Sequence, residues 1–103
     1  MIEYYKTIGS KIEKLESFAE GCWINMVHPS REEIEYIVDT LSVEEDFVLA
    51  ALDPEESSRV ESEEEQVLMI VDIPTIEAED KENGGQIFGT LPIGIVVMKN
   101  AVI

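Results

Sequence analysis

The chain has 103 residues, 45% of them hydrophobic, with 23 acids, 7 bases and a formal charge of −16. That length gives one domain with a modest core, and so acidic a surface repels phosphate backbones, which argues against nucleic-acid binding. A single cysteine, Cys22, excludes an internal disulfide, and the longest apolar run, Leu91 to Met98, falls far short of the roughly 20 residues of a spanning helix.

The hairpin signal comes first. Ile2 to Ile8 and Lys11 to Glu16 flank Gly9-Ser10, a turn pair, and predict two antiparallel strands. Gly21 then starts a third strand, Cys22 to Val27, with Trp23 expected at the core or its edge. Ser30 and Glu33 form a capping box, and Ile34, Ile37, Val38 and Leu41 follow at helical spacing, one buried stripe. Ser42 and Glu45 repeat the box, so a second short helix is expected at once, with Phe47, Val48, Ala51 and Leu52 on its buried side. Asp53-Pro54 ends it, since the residue before a proline avoids helical geometry.

An acidic connector leads to Val67-Leu68-Met69-Ile70-Val71, five adjacent apolar residues that read as a strand buried on both faces. The two helices supply one covering layer, and much of the other is missing from these residues. Thr75 to Gln86 is polar and holds Gly84-Gly85, which predicts a mobile hairpin loop. Ile87 to Leu91 and Ile93 to Met98 read as strand, with Pro92 at a bend or an edge. Lys99-Asn100 makes a turn, and Ala101-Val102-Ile103 starts a strand back. Ending on an apolar half-strand, with the strand Val67 to Val71 short of cover on one face, points to a piece of a longer protein.

Charge is unevenly placed. Residues 30–66 hold 14 acids and 2 bases, and so contribute −12 of the −16. Such a segment is a solvated face or attracts cations or a basic partner. The runs Asp53-Pro54-Glu55-Glu56 and Glu63-Glu64-Glu65 offer the oxygen ligands that magnesium takes, without the spacing of a calcium loop. Catalytic signals are poor. His28 and Cys22 are each alone of their kind and do not form a dyad, soft ligands for zinc are too few, and Gly84 to Thr90 lacks the lysine of a phosphate loop.

Trp23-Ile24-Asn25, Pro29, Glu32-Glu33-Ile34, Phe47-Val48-Leu49, Leu52-Asp53, Arg59-Val60-Glu61 and the strand Val67 to Val71 occur in an order that resembles the cytoplasmic N-terminal domain of CorA-type magnesium and cobalt transporters. The likeness spans nearly the whole chain, while the family's Gly-Met-Asn motif and two membrane helices lie outside it, so the resemblance implies a continuation into long amphipathic helices and two membrane spans. The resemblance implies a mixed α/β (α+β) fold. In it a mixed, largely antiparallel sheet has helices on its faces, a truncated two- to three-layer sandwich formed by residues 1–103. It also implies a non-catalytic, regulatory domain on the cytoplasmic face of the membrane, one of five around a pore in the full-length homopentamer. In that family, magnesium held between neighbouring subunits bridges carboxylates and favours the closed state. Acids that the family often carries before the connector are Ala50-Ala51 here. Asp46, Asp53, Glu55 and Glu56 are therefore the candidate ligands for a weak, regulatory magnesium ion. Two other classes stand beside this one: a free-standing acidic interaction module, and a small enzyme with a pocket around Trp23 and His28.

Overall fold

Gly9, at φ 66°, turns β1 (Ile2–Ile8) into β2 (Lys11–Leu15), and the two pair antiparallel from Tyr4↔Leu15 to Ile8↔Lys11. The computed structural model describes residues 1–103, the side chain of Asp80 excepted. β3 (Cys22–Met26) returns along the other edge of β1, and the chain then leaves the sheet for α1 (Arg31–Leu41) and α2 (Glu45–Ala51). It re-enters as β4 (Arg59–Glu63), β5 (Gln66–Asp80), β6 (Gly85–Val97) and β7 (Ala101–Val102). The seven strands lie in the order β2-β1-β3-β7-β6-β5-β4. Every pair is antiparallel except β3–β7, which is where the sheet's two halves join. The expected mixed, largely antiparallel sheet is present.

Both helices cover the same face. Cys22 and Ile24 of β3, Leu68 and Ile70 of β5, Val96 of β6 and Ala101 of β7 point to that side, where they form one core with Ile37, Leu41, Val43, Phe47 and Val48. The Ser30 capping box forms as expected: Ser30 Oγ accepts from the Glu33 N–H at 3.1 Å and Glu33 Oε1 accepts from the Ser30 N–H at 2.9 Å. The expected second box does not. Ser42 is the C-cap of α1 at φ 56°, and α2 starts after Glu44 with no side-chain cap. Gln66 holds this junction, its Nε2 donating to the Ser42 carbonyl at 2.9 Å and its Oε1 accepting from the Glu44 N–H at 2.8 Å. A side chain from β5 takes the place of the local cap, since Ser42 is used as the left-handed end of α1 and its N–H bonds back to the Val38 carbonyl. Gln66→Ala should cost about 1–2 kcal/mol in chemical unfolding, as both backbone groups lose their partner. A cost near zero would show that water replaces the clamp.

The helix stripe differs at its end. Phe47 and Val48 are buried and Ala51 meets the sheet, but Leu52 is exposed because the helix ends at Ala51 and Leu52 turns outward.

Two further expectations change. Thr75 to Gln86 is mostly strand, paired from Thr75↔Gly89 to Asp80↔Gly85 with a bulge between Ile76 and Ala78. Only residues 81–84 form the turn, closed by Gly84 at φ 71°. The polar residues lie on the outer surface of a ribbon, and cross-strand pairs such as Ile76↔Phe88 supply the β character that composition concealed. Second, Val67–Val71 is covered on one side only. Leu68 and Ile70 are buried, Val67 and Met69 are half-buried, and Val71 is exposed.

Candidate functional site

The four candidate magnesium ligands sit on and just after α2, and the fold does not gather them. Asp46 lies in the first turn, where the helix dipole favours an acid. Asp53 follows the last turn, seven residues on, or about 10 Å along the axis. Its Oδ1 accepts from the Glu55 N–H at 2.9 Å, so that carboxylate shapes the turn after the helix. Glu56 is engaged by the Arg59 guanidinium, which also reaches Glu61 Oε2 at 3.3 Å. Asp46 and Glu55 are exposed. Among the described residues, no group of three histidine, cysteine, aspartate or glutamate side chains could hold a metal ion.

Other polar features are structural. The Met1 amine donates to the Val27 carbonyl at 2.9 Å and to Glu33 Oε1 at 3.0 Å, which fastens the chain's start to α1. Sequence reading missed this contact, since it joins residues 32 positions apart. The Ser30 N–H, then the Met1 amine, hold the Glu33 carboxyl below its ordinary value of 4.5. A depressed carboxyl contributes stability above its unfolded pKa and loses it as pH falls through the folded one. The difference in melting temperature between wild type and Glu33→Gln should therefore be present at pH 7 and fade as pH falls below the ordinary carboxylate range. A difference that persisted unchanged at pH 3 would exclude the carboxylate as its source.

A cleft of about 830 Å³ lies at the sheet end where α1 stops and the β4–β5 and β6–β7 turns meet. Glu20, Glu64, Glu65 and Lys99 line it around Ser42 and Gln66, an acidic and wide-open hollow. His28, at φ 44°, is exposed on a strand-to-helix turn, and Cys22 is buried under the helices, so the two make no catalytic pair.

The most unusual surface is the face of the sheet opposite the helices. Trp23 stands there, 48% exposed, with its ring 5.2 Å from that of Tyr5. It is thus a residue of the open face and not of the helix-side core. In register with it run Val102 and Val97, then Met69↔Ile95, Val71↔Ile93 and Ile73↔Leu91. A monomer seldom leaves so continuous an apolar surface uncovered. The signal was the unbroken apolar run at Val67 to Val71, which has one set of side chains for each face.

No protein-family model and no curated protein matches the chain. Solved structures do. The soluble domain of CorA from Methanocaldococcus jannaschii superimposes with a TM-score of 0.78 at 23% identity, over 99% of this chain and 38% of that one. The complete CorA magnesium transporter from the same organism does so with a TM-score of 0.75 at 22% identity, over 99% of this chain and 31% of that one. This chain thus spans well under half of either protein. It has the mixed α/β fold found in the soluble domain of CorA.

Proposed function

We propose that residues 1–103 are a single regulatory domain of a CorA-like transporter of divalent cations, carried on the cytoplasmic face of the membrane and non-catalytic. The observation that carries the reading is the fold likeness over 99% of the chain. Support comes from the open apolar face, which is where a second helical layer of a longer polypeptide would lie. Among the described residues, no helix is long and apolar enough to cross a membrane, so the pore would belong to that longer polypeptide. Assembly into a homopentamer would belong to it too.

In this reading, magnesium acts as a weak regulatory ligand shared between neighbouring copies. Asp46, Asp53, Glu55 and Glu56 are spread along one copy, so closing a site needs carboxylates from two. When magnesium falls, the uncompensated acids repel and the closed arrangement loses its bridge. With Ala50-Ala51 in place of acids, the site is weak and strongly screened by salt.

The test has two arms. The 103-residue chain alone should sediment as a monomer at micromolar concentration and show no tight magnesium site by calorimetry in physiological salt. The longer polypeptide that carries it should assemble and become more resistant to protease as magnesium rises. Saturation of the short chain at micromolar magnesium, abolished by Asp53→Asn, would overturn the weak-site reading. A longer polypeptide without membrane spans would leave the acidic interaction module as the better account.

A further inference from the structure

Beyond Ile70 and Gly94 the sheet narrows to a two-stranded ribbon. β4 pairs with β5 no further than Ile70, and β7 with Ile103 reaches β6 only at Val97 and Val96. β5 and β6 nevertheless continue together to Asp80↔Gly85, about 30 Å of strand that extends past the helices. Two strands without a third, or a helix, on either face are marginal in water. Strand addition is blocked at both edges. Pro92 has the parity of Val96 and Met98, whose N–H groups bond toward β7, so its ring nitrogen occupies that edge. Pro74, opposite Thr90, occupies the outer edge of β5 in the same way. What remains for contact is the faces. On the helix side the ribbon presents Ile76 and Phe88, a cross-strand pair 60% and 66% exposed, with Asp72 and Glu79 on either side along β5.

A surface of matching chemistry lies at the opposite end of the same sheet. β1 runs antiparallel to β3, so its turn into β2 points away from the ribbon tip. On its helix side that turn presents the exposed Ile8 between Lys6 and Lys11, outside the cover of the helices. Among the described residues neither lysine is in an ion pair, whereas Lys14, Arg31 and Arg59 each are. Glu13 stands opposite Lys6 on the same face, so two lysines against one acid surround the exposed isoleucine, a small positive excess in a chain with a formal charge of −16.

We infer that the distal β5–β6 ribbon is a contact arm for a second copy of this chain, and that it seats Ile76 and Phe88 against Ile8, with Asp72 and Glu79 facing Lys6 and Lys11. Donor and acceptor surfaces differ and lie at opposite ends of one molecule, so the contact is head-to-tail. Head-to-tail contacts form rings where the rotation closes. The inference rests on the oligomeric reading above and names the surface that reading lacks. The chain's overall charge opposes the approach of a second copy, so the contact is weak in the short chain and gains from the effective concentration of an assembly.

The test is disulfide capture by mixing. Ile8→Cys and Phe88→Cys forms of the 103-residue chain, one bearing a mass tag, are mixed and oxidised in physiological salt, with Cys22 buried in both. Random collision makes the mixed dimer half of the cross-linked product; the arm contact should raise it above either like dimer by about fivefold, and Lys11→Glu should remove most of that excess. A statistical mixture overturns the arm, as does a dominant dimer of Phe88→Cys with itself, which would mark a symmetric contact between ribbons. Sedimentation of the longer polypeptide separates the two proposals. An assembled protein with statistical cross-links sinks the arm alone, while specific cross-links from a polypeptide that stays monomeric uphold the arm and sink the closed oligomer.

Discussion

Gly94→Val should be the most damaging single substitution in the chain, at about 3 kcal/mol or more, enough to leave much of the protein unfolded at 25 °C. A Cβ built at Gly94 would overlap the Cβ of Ala51 and lie 2.8 Å from its Cα. The neighbour is helix backbone, so it cannot swing aside, and α2 would have to lift off the sheet. That helix carries Phe47 and Val48 into the core and places Asp46 and Asp53 at its two ends. Even Gly94→Ala should therefore destabilise. Combining it with Ala51→Gly removes one of the two clashing groups. The double variant should be more stable than the sum of the single effects by about 1 kcal/mol or more, although Gly weakens the helix by itself. Urea unfolding of the four proteins measures this. Strict additivity would mean that α2 and β6 do not meet as described.

The second large effect tests the one-sidedness of the sheet. Leu68, 0% exposed at the centre of the core, should cost about 2–5 kcal/mol when changed to Ala, since the transfer term and the cavity both count. Val60, 70% exposed on the open face, should cost under about 0.5 kcal/mol. Val71→Ala, next to the buried Ile70 but facing the other way, belongs with Val60 in the short chain. In a longer polypeptide whose helices cover that face, its cost should rise toward the range of a buried valine. An unchanged small cost there would show that the second layer does not form over this surface. Leu68 and Val71 share β5, and the two Val71→Ala measurements use one substitution at one position, so between them propensity is held constant and burial alone varies.

The period of the apolar residues was enough to place most of the elements. Ile34, Ile37, Val38 and Leu41 marked α1, Ser30 with Glu33 marked its start, and Gly9-Ser10 marked the first hairpin. These are local signals, carried by neighbours within one turn or one strand, so sequence alone suffices for them. The run Val67 to Val71 announced two apolar faces by its composition, and the excess of acids between residues 30 and 66 is read directly from the sequence.

Tertiary structure decided what depends on distant partners. It moved the start of α2 past Ser42, because Gln66, 22 residues from Glu44, satisfies the backbone where a local cap was expected. Thr75 to Asp80 became strand, because pairing with β6 outweighs the turn propensity of a polar segment. It left Asp46, Asp53, Glu55 and Glu56 apart, since nearness in sequence along a helix and its exit does not converge carboxylates on a point. The sheet order also set a charged hairpin and an acidic ribbon at opposite ends of the molecule, a relation that no window of sequence contains. Composition and period are sums over neighbours, whereas a site is a relation in space, and that relation exists only once the strands have paired.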